Sequence, residues 1–206
     1  MPFDHNDHYH RLLLRHVPSG ASTALEVGCG TGKFARSLAG AGLDVDAVDP
    51  AADVLTVAKA LGSPGPGRIS YRQADIRSVA LEPGHYDVIS CLASLHHVPF
   101  DTVAALRDAL APNGVLLVLG LAKPGSVADR ARWAAAVPGN VVARALVRVA
   151  EELGGGVDAL PSPPVRAATM SLAQIRREAV RLLPGSRVRV LAFGATCSRI
   201  AQPERP

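Results

Sequence analysis

Directly behind the first apolar run, the segment Leu25-Glu26-Val27-Gly28-Cys29-Gly30-Thr31-Gly32-Lys33-Phe34 places a glycine at every second position. A residue without Cβ tolerates positive φ, so such a stretch can bend sharply from a strand into a helix and let a ligand lie against bare main chain. Two better-known glycine loops fail by counting. A dinucleotide loop needs G-x-G-x-x-G, but Lys33 stands where the third glycine belongs and Gly32 comes one position early. A phosphate-cradling loop needs G-x-x-x-x-G-K-[ST], but Val27 replaces the first glycine and Phe34 the final hydroxyl.

Beyond this turn, strand-like and helix-like segments alternate, the signature of a parallel sheet covered by helices on both faces. Strands are expected at Ala24–Val27, Val45–Val48, Ile69–Arg72, Tyr86–Cys91 and Val115–Leu119. The last two are almost continuously apolar, as central parallel strands buried on both faces should be. Helical spacing links Phe34, Ala35 and Leu38, then Val54, Leu55, Ala58 and Leu61, then Val103, Leu106 and Leu110. Gly40 and Gly62 are expected as C-terminal caps of the first two, and Asp101 as the N-terminal cap of the third. Ahead of all this lies a polar opening, with an apolar helix expected over Leu12–Val17. The fold class expected from this pattern is a doubly wound, mostly parallel α/β sheet. With 206 residues, 48% of them hydrophobic, the chain is expected to form one domain, 1–206.

Residues 123–169 break the alternation. Helical patterns over 127–137 and 141–153 precede Gly154-Gly155-Gly156 and Pro161-Ser162-Pro163-Pro164, a density of turn formers that marks a mobile connection. We read 123–169 as a helical insert able to cover a site mouth, and 1–20 as an N-terminal flap and helix. Ser171-Leu172-Ala173-Gln174 has capping-box spacing and opens a helix carrying Leu172, Ile175, Ala179 and Leu182. Arg187–Ala192 and Thr196–Gln202 look like two closing strands around Phe193-Gly194-Ala195.

Charge and cysteine usage narrow the classes of function. The formal charge of +4 comes from arginines spread along the chain with only three lysines, a solvated surface rather than the clustered, aromatic-interleaved face of a nucleic-acid binder. That bias, with abundant alanine, points to a GC-rich genome. Cys29, Cys91 and Cys197 are widely spaced, without a C-x-x-C pair, and suggest neither a disulfide framework nor structural zinc. His5, His8 and His10 cluster near Tyr9, but no carboxylate spacing supports a designed metal site, so no metal is expected. No apolar run is long enough to span a bilayer and no basic-then-apolar leader opens the chain; a soluble, cytoplasmic protein without membrane partner is expected.

The pattern acidic-x-Gly-x-Gly-x-Gly after a strand resembles the first motif of the class I S-adenosylmethionine-dependent methyltransferases. The resemblance implies seven strands ending in an antiparallel hairpin, S-adenosyl-L-methionine as cofactor and S-adenosyl-L-homocysteine as product. It places Gly28, Cys29, Gly30 and Gly32 against the methionine portion, with Glu26 orienting it. Asp49 ends the second strand, seventeen residues past Gly32; a carboxylate there can accept both ribose hydroxyls, although Asp49 and Pro50 can equally open the next helix. Asp75 and Ile76 are implied to take the adenine amino group and ring, with a simple turn aspartate as the other reading. Cys91 and Leu92 end the fourth strand, and His96 or His97 beyond them would be the base, or else packing residues. Tyr9 and His10 would fold over the cofactor. The [DN]-P-P-[YF] element of enzymes that methylate nucleic-acid bases is absent.

The activity expected is transfer of the sulfonium methyl to a small-molecule acceptor, by choice a hydroxyl of a bacterial secondary metabolite. Arg132, Trp133, Arg166 and Met170 are conspicuous near the acceptor side. Two alternatives stay open: a protein that binds the same cofactor without methylating, such as a cyclase or accessory subunit, and a nicotinamide oxidoreductase, which the loop spacing disfavours.

Overall fold

The computed structural model describes residues 5–95, 99, 101–123, 170–190 and 195–201. The insert expected at 123–169 falls almost wholly outside them, as do Arg132, Trp133 and Arg166. Helix α1 spans His5–Leu14, followed by β1 (Thr23–Val27), α2 (Lys33–Gly40), β2 (Asp44–Asp49), α3 (Ala52–Ala60) and β3 (Ile69–Gln73). A short 3-10 turn, Ile76–Ser78, leads to β4 (Tyr86–Leu92), α4 (Thr102–Asp108) and β5 (Leu110–Leu121). Helix α5 (Leu172–Leu182) and strands β6 (Arg187–Val190) and β7 (Ala195–Ala201) close the described chain.

The strands lie in the order β3-β2-β1-β4-β5-β7-β6. The first five are parallel, while β7 runs antiparallel between β5 and β6. Chain order reverses between β1 and β4, so the crevice above the carboxyl ends of these two strands is where a ligand of such a sheet would enter. Val27 is in register with Cys91, which brings the turns leaving the two strands to the same level.

Two apolar layers hold the sheet. On one face Ala24, Val45, Ala47, Val88, Val115 and Leu117 meet Leu13 of α1 and Phe34, Ala35 and Leu38 of α2. On the other, Leu25, Val27, Val48, Ile89, Cys91 and Leu116 meet Val103 and Leu106 of α4 and Leu182 of α5. Burial on both faces explains why β4 reads as an unbroken apolar run. Among the described residues no helix is long and apolar enough to cross a membrane.

Several local expectations shift. The first helix lies earlier than Leu12–Val17: the helix ends at Leu14 and the chain continues in tighter turns, with the His16 and Val17 N–H groups donating to the Leu13 and Leu14 carbonyls ahead of Pro18. Gly40 is the last residue of α2 rather than its cap. The left-handed position is Gly42 (φ +97°), where the Gly42 N–H donates to Ala39 and the Leu43 N–H to Leu38, satisfying the carbonyls a helix end leaves open. Gly62 does take the left-handed conformation after α3. Asp101 precedes α4 but makes no capping bond; its carboxylate accepts from Arg181 of α5 at 3.1 Å, a long-range partner that outcompetes the local one. β5 begins five residues before Val115, and its register with β4 skips from Leu110 to Val115 around Pro112-Asn113-Gly114. The capping box at Ser171 is present: the Ser171 Oγ accepts from the Gln174 N–H, and the Gln174 side chain accepts from the Ser171 N–H.

Candidate active site

The glycine turn leaves β1 at the sheet's reversal point and is fastened to β2. The Gly28 and Cys29 N–H groups both donate to the Val48 carbonyl, at 2.8 and 3.1 Å. Gly28, Gly30 and Gly32 all have positive φ (+70°, +53° and +72°), yet their surroundings differ. A Cβ on Gly28 would strike the Cβ of Ser94, and one on Gly32 would strike the Tyr71 hydroxyl and come within 2.9 Å of its ring. A Cβ on Gly30 would meet nothing within 4 Å. Two glycines therefore serve close packing, while the middle one presents bare backbone to open space.

Beside that opening are two buried carboxylates. Glu26, on β1, is only 3% exposed. It receives a hydrogen bond from the Ala35 N–H, in the first turn of α2, and so supplies the cap that Gly32 cannot. Its other oxygen, Oε2, is buried without a partner. Burial pushes the Glu26 carboxyl up to about 8, against the pull of the Ala35 N–H and the Arg36 guanidinium; the Asp49 carboxylate adds to the rise. Leaving a buried carboxyl oxygen unmet costs about 1–3 kcal/mol or more, so Oε2 is a place where a ligand donor would be welcome.

Asp49 closes β2 and is 8% exposed. Its Oδ2 accepts from the Gly30 N–H at 2.8 Å and its Oδ1 from the Ala51 N–H at 2.9 Å. The carboxylate thus ties the glycine turn to the entry of α3, and each oxygen keeps lone-pair capacity for a further donor. Pro50 is exposed and its carbonyl accepts from the Gln73 side chain.

Asp75 is held otherwise. Its Oδ1 accepts from the Arg77 N–H at the start of the 3-10 turn, and the Arg77 guanidinium grips both oxygens at 2.6–3.1 Å. That arginine holds the Asp75 carboxyl at about 2, well below its ordinary range. Ile76 is buried and borders a groove of about 430 Å³ between the 3-10 turn and α4, whose lining contains no residue of the glycine turn.

Cys29 and Cys91 are free, buried thiols, and burial is the chief cause raising both, Cys91 to about 12. Neither is a thiolate near neutral pH. Leu92 is buried at the end of β4. Tyr9 is 5% exposed within the cluster of α1, α2 and the sheet, and the His10 ring lies 4.9 Å from that of Phe34. Both side chains therefore serve the seam between α1 and α2. His96 and His97 lie outside the described residues. No group of His, Cys, Asp and Glu suited to a metal occurs among those described.

Sequence reasoning missed three residues of this site. Tyr71 fills the space against Gly32, and burial raises its hydroxyl beside Arg36. Arg36 donates to the Thr31 carbonyl at 2.8 Å and braces the turn. Ser94 spans from the β4 exit to the β1 exit, where its Oγ donates to the Val27 carbonyl. Tyr71 acts from β3, Ser94 from the exit of β4 and Arg36 from the first turn of α2, so no apolar period announces them.

A parallel sheet of this order sets a bare-backbone turn at its reversal point, between the exits of β1 and β4. The profile of the methyltransferase-domain family matches residues 24–114, from β1 through the start of β5. Among curated proteins, the chain is similar to the ubiquinone biosynthesis O-methyltransferase of Nitrosospira multiformis, 35% identical over 103 residues, covering 48% of this chain and 43% of that protein. It is likewise similar to the protein of that name from Marinobacter nauticus, 37% identical over 107 residues, covering 50% and 45%. The matched part thus spans less than half the length of these relatives. Among solved structures, an S-adenosylmethionine-dependent methyltransferase from Mesorhizobium loti superposes with a TM-score of 0.62 at 16% identity, covering 93% of this chain and 96% of that one. The DhpI–SAH complex does so at 0.62 and 20%, covering 97% and 86%. At such identities these two likenesses bear on fold alone.

Proposed function

We propose that this chain is an S-adenosylmethionine-dependent methyltransferase that transfers the methyl group to a hydroxyl oxygen of a small molecule. The observation that carries this is the open space at Gly30, in a turn that leaves the strand bearing the partnerless Oε2 of Glu26. When bound, the cofactor supplies an activated methyl on a positively charged sulfur. Gly28, Cys29, Gly30 and Gly32 would hold its methionine portion against bare backbone. Glu26 would meet the cationic amino end, directly or through water, with its buried oxygen. Asp49, already oriented by the Gly30 and Ala51 N–H groups, would accept from the ribose hydroxyls. Asp75 and Ile76 would take the adenine, with Pro50 and Leu92 bounding the same crevice and Cys91 packed behind them.

Positioning is the larger part of such a reaction, since well-oriented reactants reach effective molarities of about 10⁵–10⁸ M. A base at His96 or His97 would remove the hydroxyl proton as the methyl arrives. Oxygen as acceptor atom is supported by the likeness to ubiquinone biosynthesis O-methyltransferases, and an acceptor from secondary metabolism is our extension of it. We place the chain as one cytoplasmic domain, 1–206, with a complete seven-stranded sheet and hairpin, residues 1–20 as flap and 123–169 as the lid over the acceptor. Neither nucleic acid nor membrane figures as partner.

Incubation with methyl-labelled cofactor and a panel of phenols, carboxylates and amines tests this. Label should pass to a phenol or alcohol, with S-adenosylhomocysteine formed in equal amount. Tight cofactor binding with no transfer to any of them would favour the non-methylating alternative, and affinity for NAD instead would overturn the proposal.

A further inference from the structure

The bend that follows β4 is strained and fastened on two sides. Ala93 has φ +54°, a left-handed conformation that a residue with a Cβ rarely adopts. Such a conformation persists only where its surroundings enforce it. On one side the Ala93 N–H donates to the Leu119 carbonyl of β5 at 2.7 Å. On the other the Ser94 Oγ donates to the Val27 carbonyl at 2.5 Å, the last residue of β1 before the glycine turn. The Ser94 Cβ also occupies the space a side chain at Gly28 would need, and its hydroxyl engages the Cys91 thiol. The bend therefore stitches together the exits of β1, β4 and β5, across the point where strand order reverses.

We propose that Ser94 is a positioning residue: by bonding the Val27 carbonyl and packing on Gly28 it sets the separation between the two turns that embrace the methionine end of the cofactor. This deepens the proposed function and rests on it. A ligand atom placed against Gly30 is located relative to the β4 exit only as well as Ser94 holds Gly28. Adenosine, which lacks the methionine portion, engages the Asp49 and Asp75 end and owes nothing to this stitch.

The test is isothermal titration of the full chain, wild type, Ser94→Ala and Ser94→Thr, with S-adenosylmethionine and separately with adenosine. Thermal unfolding is recorded for each. Ser94→Ala should weaken S-adenosylmethionine about tenfold, the usual effect of one hydrogen bond, and leave adenosine within about twofold. Ser94→Thr keeps the hydroxyl and should restore S-adenosylmethionine affinity to within about threefold of wild type. Equal affinity of Ser94→Ala and wild type for S-adenosylmethionine would overturn the assignment, as would a parallel loss for both ligands. If Ser94→Ala does not fold, Ser94→Thr decides alone: near wild-type affinity supports the role of the hydroxyl, and a tenfold loss refutes it. Failure of wild type itself to bind S-adenosylmethionine would instead remove the proposed function.

Discussion

The two ends of the crevice differ in how far they bury their acidic residues and in whether a side chain also holds them. At the β1–β2 end, Glu26 and Asp49 are buried and fastened by main-chain N–H groups of Ala35, Gly30 and Ala51. At the β3 end, Asp75 is partly exposed; one oxygen accepts from the Arg77 N–H, and the Arg77 guanidinium grips both. Backbone donors cannot rotate away, so the first pair is pre-organised at the cost of burial. A surface ion pair is worth about 0–1 kcal/mol and can open at little expense. The first end is thus built to be rigid, and the second to exchange one partner for another.

The strongest way to break this contrast is at the glycines. Gly28→Ala adds a Cβ against Ser94 at a left-handed position, and should destabilise the protein by about 2–4 kcal/mol in chemical denaturation. Gly30→Val should cost stability only through backbone strain, about 1–3 kcal/mol, while reducing S-adenosylmethionine affinity at least about a hundredfold by titration. Equal affinities of Gly30→Val and wild type would place the ligand elsewhere.

Asp49→Ala comes next. It strands two backbone N–H groups and removes the proposed ribose acceptor, so affinity should drop by about 1–3 kcal/mol. Undiminished binding would reduce Asp49 to a brace for the entry of α3.

Glu26 sharpens the comparison through pH. With its carboxyl raised to about 8, the ligand-free protein holds it protonated at pH 7. A cationic ligand favours the ionised form, so affinity should rise with pH toward 8, by at most about tenfold per unit, and Glu26→Gln should flatten the profile. The stability consequence has a fixed sign. The folded value lies above the unfolded one, so the stabilisation is whole below about pH 4.5 and is lost as pH rises through about 8. Ligand-free Glu26→Gln should therefore melt above wild type at pH 9, by about 2–4 °C per kcal/mol relieved.

The smallest effect belongs to the exchangeable end. Asp75→Ala should weaken S-adenosylmethionine by about threefold or less, because the carboxylate must leave Arg77 before it serves a ligand. A loss comparable to that of Asp49→Ala would erase the distinction between the two ends.

Much of the scaffold was legible from local signals. The alternating glycines announced a strand-to-helix turn, and the apolar runs located β1–β5 to within a few residues, except at the start of β5. There Pro112-Asn113-Gly114 reads as a turn, while long-range pairing with β4 carries the strand back to Leu110. Asp101 likewise read as a cap because only its neighbours were visible, when its partner is 80 residues away. Ser94 and Tyr71 left no trace in periodicity, since each acts on a glycine of the turn or the carbonyl before it from the exit of β4 or from β3.

By itself the amino-acid sequence determined where the chain must turn, because positive φ and apolar period are properties of a few adjacent residues. It placed a carboxylate at the end of the second strand for the same reason. Only tertiary structure decided which of three equivalent-looking glycines faces open space, and that Glu26 caps a helix with one oxygen while the other stays unmet. Those outcomes depend on side chains brought together by strand pairing, and burial, unlike chain conformation, is not a local quantity.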